Sequence, residues 1–129
     1  MTYTITKEFS FDAGHRLRGL PDGHKCGRWH GHTYRVRVEL TGDLDLHGFV
    51  LDYGELAPFK RWIDNTVDHQ NLNELPSFSD DDPEAYNPTA ENLSRYLTTV
   101  LHQVVDLPRA VFAQVWVSET PKTWASWNP

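Results

Sequence analysis

The chain has one cysteine, Cys26, among 129 residues. No disulfide can close within it, which leaves the thiol to packing or to chemistry. It contains no run of about 18 apolar residues, and no basic stretch leading into an apolar one at its start. With neither a membrane span nor a secretory leader to read, the expectation is a cytoplasmic protein. Cations are scarce: 12 Lys and Arg stand against 18 Asp and Glu, a net charge of −6. A chain without a basic face is a poor match to nucleic acid or to an anionic membrane, so neither partner is expected. Also missing are a G-x-G-x-x-G or P-loop string, an internal repeat, a low-complexity tract and a Gly/Ser linker. The length fits a single domain over residues 1–129.

What is present is enough for a core, since 39% of residues are hydrophobic and five are Trp. Tyr3, Ile5, Phe9, Phe11 and Ala13 share one parity and Thr4, Thr6, Glu8, Ser10 and Asp12 the other, the alternation of a half-buried strand. Tyr34, Val36, Val38 and Leu40 repeat it against Thr33, Arg35, Arg37 and Glu39, until Thr41-Gly42-Asp43 breaks the run. From Leu56 the period changes: Leu56, Phe59, Ile63 and Val67 form one helical stripe, and Pro58, tolerable only in a first turn, sets the start near Gly54 or Glu55. Leu93, Tyr96, Leu97, Val100, Leu101 and Val104 predict a second helix, with Pro88, Thr89 and Glu91 as start signals and Leu107-Pro108 as the stop. Val111 to Val117 alternates as a third strand, and Thr123 to Trp127 is a short fourth. The acidic stretch from Pro76 to Pro88 reads as a solvated loop. The order ββααββ is an α+β domain: an antiparallel four-stranded sheet with both helices on one face. Its open edges and second face point to oligomerisation.

Chemistry concentrates in His30-Gly31-His32. In a strand, residues i and i+2 face the same side, so both imidazoles can reach one ion, and His15 at the end of the first strand can join them if the strands are antiparallel neighbours. Three neutral imidazoles without a fourth protein ligand describe a Zn²⁺ site with an open position for water or substrate. Cys26, four residues before His30, is a fourth ligand, an inert core residue, or a base or nucleophile beside the ion. Asp68-His69 is either an imidazole with its orienting carboxylate or a helix C-cap histidine; adjacent residues rarely pair directly. Glu119, just past the third strand, is a solvated carboxylate or an acceptor for the two N–H groups of an amino-pyrimidinone edge.

Five strings occur in order along nearly the whole chain: Phe9-Ser10-Phe11-Asp12-Ala13-Gly14-His15; Cys26-Gly27-Arg28-Trp29-His30-Gly31-His32; Asp68-His69-Gln70-Asn71-Leu72-Asn73; Asn87-Pro88-Thr89-Ala90-Glu91-Asn92; and Ser118-Glu119-Thr120. Together they resemble the 6-pyruvoyl-tetrahydropterin synthase/QueD family. The three residues between Cys26 and His30 look like the QueD type, 6-carboxy-5,6,7,8-tetrahydropterin synthase; the pyruvoyl-forming synthases usually carry five. The resemblance implies a tunnelling fold (T-fold), whose subunits close into a trimeric barrel and stack as a homohexamer. It also implies conversion of 7,8-dihydroneopterin triphosphate to 6-carboxytetrahydropterin, acetaldehyde and triphosphate, on the way to 7-deazapurines such as queuosine. Carried over position by position, His15, His30 and His32 match the zinc ligands, Cys26 the catalytic base, Asp68 and His69 its relay partners, and Glu119 the pterin anchor. Thr89 and Glu91 match a segment near the pterin. Arg16, Lys25, Arg28 and Lys122 are candidate cations for the triphosphate, and His24, His47 and His102 read as surface residues. The competing expectations are 6-pyruvoyl-tetrahydropterin synthesis, in which the side-chain carbons remain, and a non-catalytic zinc-binding oligomer.

Overall fold

A computed structural model describes residues 1–129. The two alternating runs become long strands, β1 (Tyr3–His15) and β2 (His30–Gly42), paired antiparallel over their full length from Tyr3 opposite Gly42 to His15 opposite His30. One parity of each goes inward: Phe9, Phe11 and Ala13 of β1 and Tyr34, Val36, Val38 and Leu40 of β2 are buried. A slip of one residue would turn all of them to water, so the pattern fixes the register that sets His15 against His30.

Helix α1 (Ala57–Thr66) is preceded by a 3-10 turn, Tyr53–Leu56, so Pro58 sits in the first turn of α1, where its missing N–H costs nothing. The expected start at Gly54 or Glu55 falls in that tighter turn. Helix α2 (Ala90–Val104) is capped by Thr89, whose Oγ1 accepts the Asn92 N–H at 3.1 Å. Phe59 and Ile63 of α1 and Leu93, Leu97 and Leu101 of α2 enter a single cluster of 21 buried hydrophobic residues with the inward sheet face. At about 1.5–3 kcal/mol for each fully buried large apolar side chain, this cluster is the main favourable contribution to folding.

Strand β4 (Phe112–Ser118) pairs with β2 from Arg35 opposite Ser118 to Thr41 opposite Phe112, and β5 (Ala125–Ser126) pairs with β4. The expected four-stranded antiparallel sheet needs one correction. A two-residue strand, β3 (Gln70–Asn71), runs parallel to β1 beside Ala13 and Gly14, so the sheet is mixed and five-stranded in the order β3-β1-β2-β4-β5. The Pro76–Pro88 stretch is also more than a solvated loop. Phe78 is fully buried, and Asp80 takes Arg16 Nη2 at 3.0 Å and Arg18 Nη1 at 2.8 Å. No helix is long and apolar enough to cross a membrane.

Candidate metal centre

Because His15 faces His30 across the β1–β2 ladder and His32 lies two residues on, all three imidazoles gather on the core side at one end of the sheet. Their ligand atoms lie within 4.8 Å of one another, and Cys26 is not part of the cluster. Ring centroids are 4.6 Å apart for His15–His30, 5.1 Å for His15–His32 and 4.9 Å for His30–His32. The outer face at this end is bare, because Gly14 stands opposite Gly31.

The proton positions follow from the partners. His15 Nδ1 donates to the Pro88 carbonyl at 2.8 Å, and His30 Nδ1 donates to the Arg28 carbonyl at 2.7 Å, since a carbonyl only accepts. Both Nε2 atoms therefore carry lone pairs in the neutral rings, and they face each other at 3.0 Å. His32 Nε2 is buried with no hydrogen-bond partner. Three convergent ring nitrogens, two of them with lone pairs oriented by carbonyls and the third without a hydrogen-bond partner, fit a cation bound by imidazole. Burial, with lesser contributions from His30 and His32, pushes His15 down to about 4, so its ring is neutral near pH 7. Tyr34, fully buried, places its hydroxyl 3.1 Å from His15 Nδ1; burial and the nearby Glu119 carboxylate hold that hydroxyl protonated.

Glu119 follows β4 and brings Oε2 to 4.0 Å from His32 Nε2. Burial first, and the neighbouring Glu91 second, raise its pKa above the ordinary carboxylate value; His30 and the Ala90 N–H at the start of α2 pull it back. Glu119 and Glu91 are thus brought together beside the histidines. Thr89 lies in the same segment, where its oxygen serves first as the α2 cap.

His69 and Asp68 are a pair. Past the end of α1, His69 adopts φ 59°, its N–H donates to the Asp12 carbonyl at 2.6 Å, and its Nδ1 lies 2.9 Å from Asp68 Oδ2. Of the two readings of the dipeptide, the structure has the imidazole with its carboxylate partner: the direct contact between neighbours follows from that left-handed backbone, which differs from a helix C-cap. The other Asp68 oxygen, Oδ1, accepts the Asp12 N–H at 2.9 Å. That bond first, and His69 second, lower Asp68, while Asp68 raises His69. His69 lines an open cleft of about 470 Å³ with Asp12, Gly14, Gly31, His32 and Thr33. The Cys26–His69–Asp68 relay is not assembled by hydrogen bonds within the chain: only its Asp68–His69 half is formed.

Cys26 is half-buried in the 3-10 turn Lys25–Gly27. Its N–H donates to His24 Nδ1 at 3.1 Å and its carbonyl accepts the Leu17 N–H at 2.9 Å. His24, read as a surface residue, is exposed and also caps that turn. Of the candidate triphosphate cations, Arg16 is spent: it pairs with Asp80 and stacks 4.7 Å from the Trp29 ring. Lys25, Arg28 and Lys122 form no ion pair. Tyr34 and Pro88 were legible only as an inward strand residue and a helix-start signal, because their contacts with His15 exist only once distant segments meet, whereas the His24–Cys26 cap is local, two residues apart.

A family profile described as 6-pyruvoyl tetrahydropterin synthase matches residues 4–129. The 6-carboxy-5,6,7,8-tetrahydropterin synthase of Bacillus subtilis is 32% identical over 137 residues, covering 99% of this chain and 86% of the relative. The protein of that name from Haemophilus influenzae is 43% identical over 74 residues, 52% of this chain and 50% of the relative. The structure of Caenorhabditis elegans 6-pyruvoyl tetrahydropterin synthase superposes with a TM-score of 0.85 at 30% identity, over 100% of this chain and 96% of that one. With a match that spans the histidine trio, the Asp68–His69 pair and Glu119 together, the chain belongs to the 6-pyruvoyl tetrahydropterin synthase family.

Proposed function

We propose that the chain is a zinc-dependent 6-carboxy-5,6,7,8-tetrahydropterin synthase, a carbon–carbon lyase acting on 7,8-dihydroneopterin triphosphate. The observation that carries this reading is the convergence of three imidazole nitrogens within 4.8 Å, with Glu119 4.0 Å from His32 Nε2. Zn²⁺ held there supplies Lewis-acid stabilisation of negative charge developing on the substrate's side-chain oxygens.

The residues divide the remaining work. Glu119 accepts the two N–H groups of the pterin's amino-pyrimidinone edge, and this orients the ring so that its side chain reaches the histidines. Thr89 and Glu91 border the same ring. Cys26 takes and returns protons at the substrate carbons next to the ring, and His69, held by Asp68, passes protons at the far side of the substrate. One water is consumed, the bond between the first and second side-chain carbons breaks, and acetaldehyde and triphosphate leave. The ring is reduced at the expense of the side chain, so no nicotinamide or flavin takes part.

The short spacing from Cys26 to His30 favours this reading over 6-pyruvoyl-tetrahydropterin synthesis, and an open ligand position favours both over a non-catalytic zinc-binding oligomer. A homohexamer built from two trimeric barrels, in the cytoplasm and in 7-deazapurine or queuosine-type biosynthesis, completes the proposal. Zinc-loaded protein incubated with dihydroneopterin triphosphate decides the matter by mass analysis of the pterin and trapping of volatile aldehyde. Acetaldehyde supports the lyase, triphosphate release without aldehyde selects the pyruvoyl reaction, and an unchanged substrate selects the non-catalytic oligomer.

A further inference from the structure

Two asparagines that the chemistry above leaves unused, Asn73 and Asn87, hold the chain just beyond His15. Asn73 Oδ1 accepts the Arg16 N–H at 3.0 Å, and Asn73 Nδ2 donates to the Arg16 carbonyl at 3.0 Å. Asn87 does the same one step on: its Oδ1 accepts the Arg18 N–H at 2.9 Å and its Nδ2 donates to the Arg18 carbonyl at 2.9 Å. A side-chain amide carries an acceptor and donors in one plane, so each asparagine occupies the place of a residue in a neighbouring strand. Leu17, between the two, turns the opposite way and donates its N–H to the Cys26 carbonyl at 2.9 Å. The alternation of a strand therefore continues past the end of β1 with no strand beside it: residues 16 and 18 are paired by amides, and residue 17 by Cys26.

Both asparagines are themselves anchored. Asn73 is 5% exposed, and its Nδ2 also reaches Asp80 Oδ1 at 3.0 Å. The Asn87 carbonyl accepts Asn92 Nδ2 at 3.0 Å, and the next residue, Pro88, supplies the carbonyl that orients His15. One segment thus grips the metal side through His15 and the thiol side through Arg18, Leu17 and Cys26.

We infer that Asn73 and Asn87 are positioning residues that hold the Cys26 thiol in register with the histidine trio. The inference rests on the proposed role of Cys26. Losing either amide frees residues 16–18 and, through the single Leu17–Cys26 bond, the turn that carries the only thiol.

The test uses the full-length, zinc-loaded protein and its Asn73→Ala, Asn87→Ala and Asn87→Asp variants. Val100→Ala, in the core face of α2, serves as a control with a matched loss of Tm. Cys26 is modified with iodoacetamide and followed by mass, and kcat and KM are measured with dihydroneopterin triphosphate. In the two Ala variants alkylation should change by about fivefold or more as the thiol environment is lost. Their kcat should fall about tenfold or more with KM within about twofold, the mark of misplacement rather than lost binding. Asn87→Asp, which keeps the acceptor for the Arg18 N–H, should lose less, and Val100→Ala should match the unmodified protein in both readouts. Unchanged alkylation in the Ala variants, or the same change in Val100→Ala, overturns the inference. Should the variants fail to fold, amide exchange in the unmodified protein decides: the clamp requires the Leu17 N–H to exchange about a hundredfold or more slowly than an open loop amide, and fast exchange refutes it. If the unmodified protein turns nothing over, the proposed function falls, while alkylation and exchange still judge the clamp.

Discussion

His69 Nδ1 and Asp68 Oδ2 stand 2.9 Å apart on adjacent residues, a contact made by the positive φ of His69, which turns its ring back over the preceding side chain. Asp68 raises His69 and is itself lowered. In the folded protein the imidazolium should therefore persist above its ordinary value of about 6.5. The stability it contributes is complete below that value and is lost as pH rises through the higher folded one. NMR titration of His69 in Asp68→Asn should show the imidazole falling back, and an unchanged titration would separate the two residues.

The same backbone gives a second prediction. A left-handed φ costs an L-residue with a Cβ about 1 kcal/mol relative to glycine. His69→Gly should therefore be more stable than His69→Ala by about that amount in urea unfolding, although both remove the proposed relay imidazole. Equal stabilities would mean that the conformation relaxes.

The facing Nε2 atoms of His15 and His30 and the unpartnered Nε2 of His32 predict one Zn²⁺ per chain. Substituting His30→Ala or His32→Ala should weaken binding at least about a hundredfold, the upper end for disturbing even an outer partner of a zinc site. Competition with a chromophoric chelator measures this; affinity that survives both changes would place the ion elsewhere.

Glu119→Gln keeps the shape of the side chain but replaces one acceptor oxygen with a donor. If Glu119 takes the pterin's two N–H groups, KM should rise about 10- to 100-fold, matching about 1.5–3 kcal/mol for charge-assisted hydrogen bonds. Zinc content should stay the same. A KM that does not move would show that the ring binds elsewhere.

Asp80 supplies a prediction about stability alone. Burial would raise its pKa, but hydrogen bonds from Arg18, Asn73 and Arg16 together outweigh that and lower it. Because the folded value lies below the unfolded one, the stabilisation is present above about pH 4 and is lost as pH falls through the folded value. Asp80→Asn should cost about 2 kcal/mol at pH 7, and the difference from the unmodified protein should shrink in increasingly acid solution. A gap that persists at low pH would assign the effect to packing.

How far the sequence foretold this arrangement depends on how local each signal is. The alternation in β1 and β2 was legible because one face of each is buried; the antiparallel pairing that places His15 opposite His30 entered the sequence reading only as a condition, and the structure meets it. The helical stripes of α1 and α2 were legible for the same reason. Strand β3 was not, since two residues carry no period. The dipeptide Asp68-His69 left its pairing open, because the contact depends on one unusual φ, and Asp80 was missed because its partners Arg16 and Arg18 lie more than 60 residues away in sequence. Glu119 was visible as a carboxylate at a strand end; its crowding against Glu91 was not.

Strand β3 covers β1 only at Ala13 and Gly14, and Asp12 is met by Asp68 and His69. Thr4, Thr6, Glu8 and Ser10 turn the same way as Asp12 and find no strand on that side. A lone chain in solution therefore displays a ready template for cross-β growth along most of its first strand. In the proposed assembly, a neighbouring subunit lined up against that margin would also guard the protein from fibril formation, so dilution of such an assembly should be more hazardous to it than heat applied to it intact.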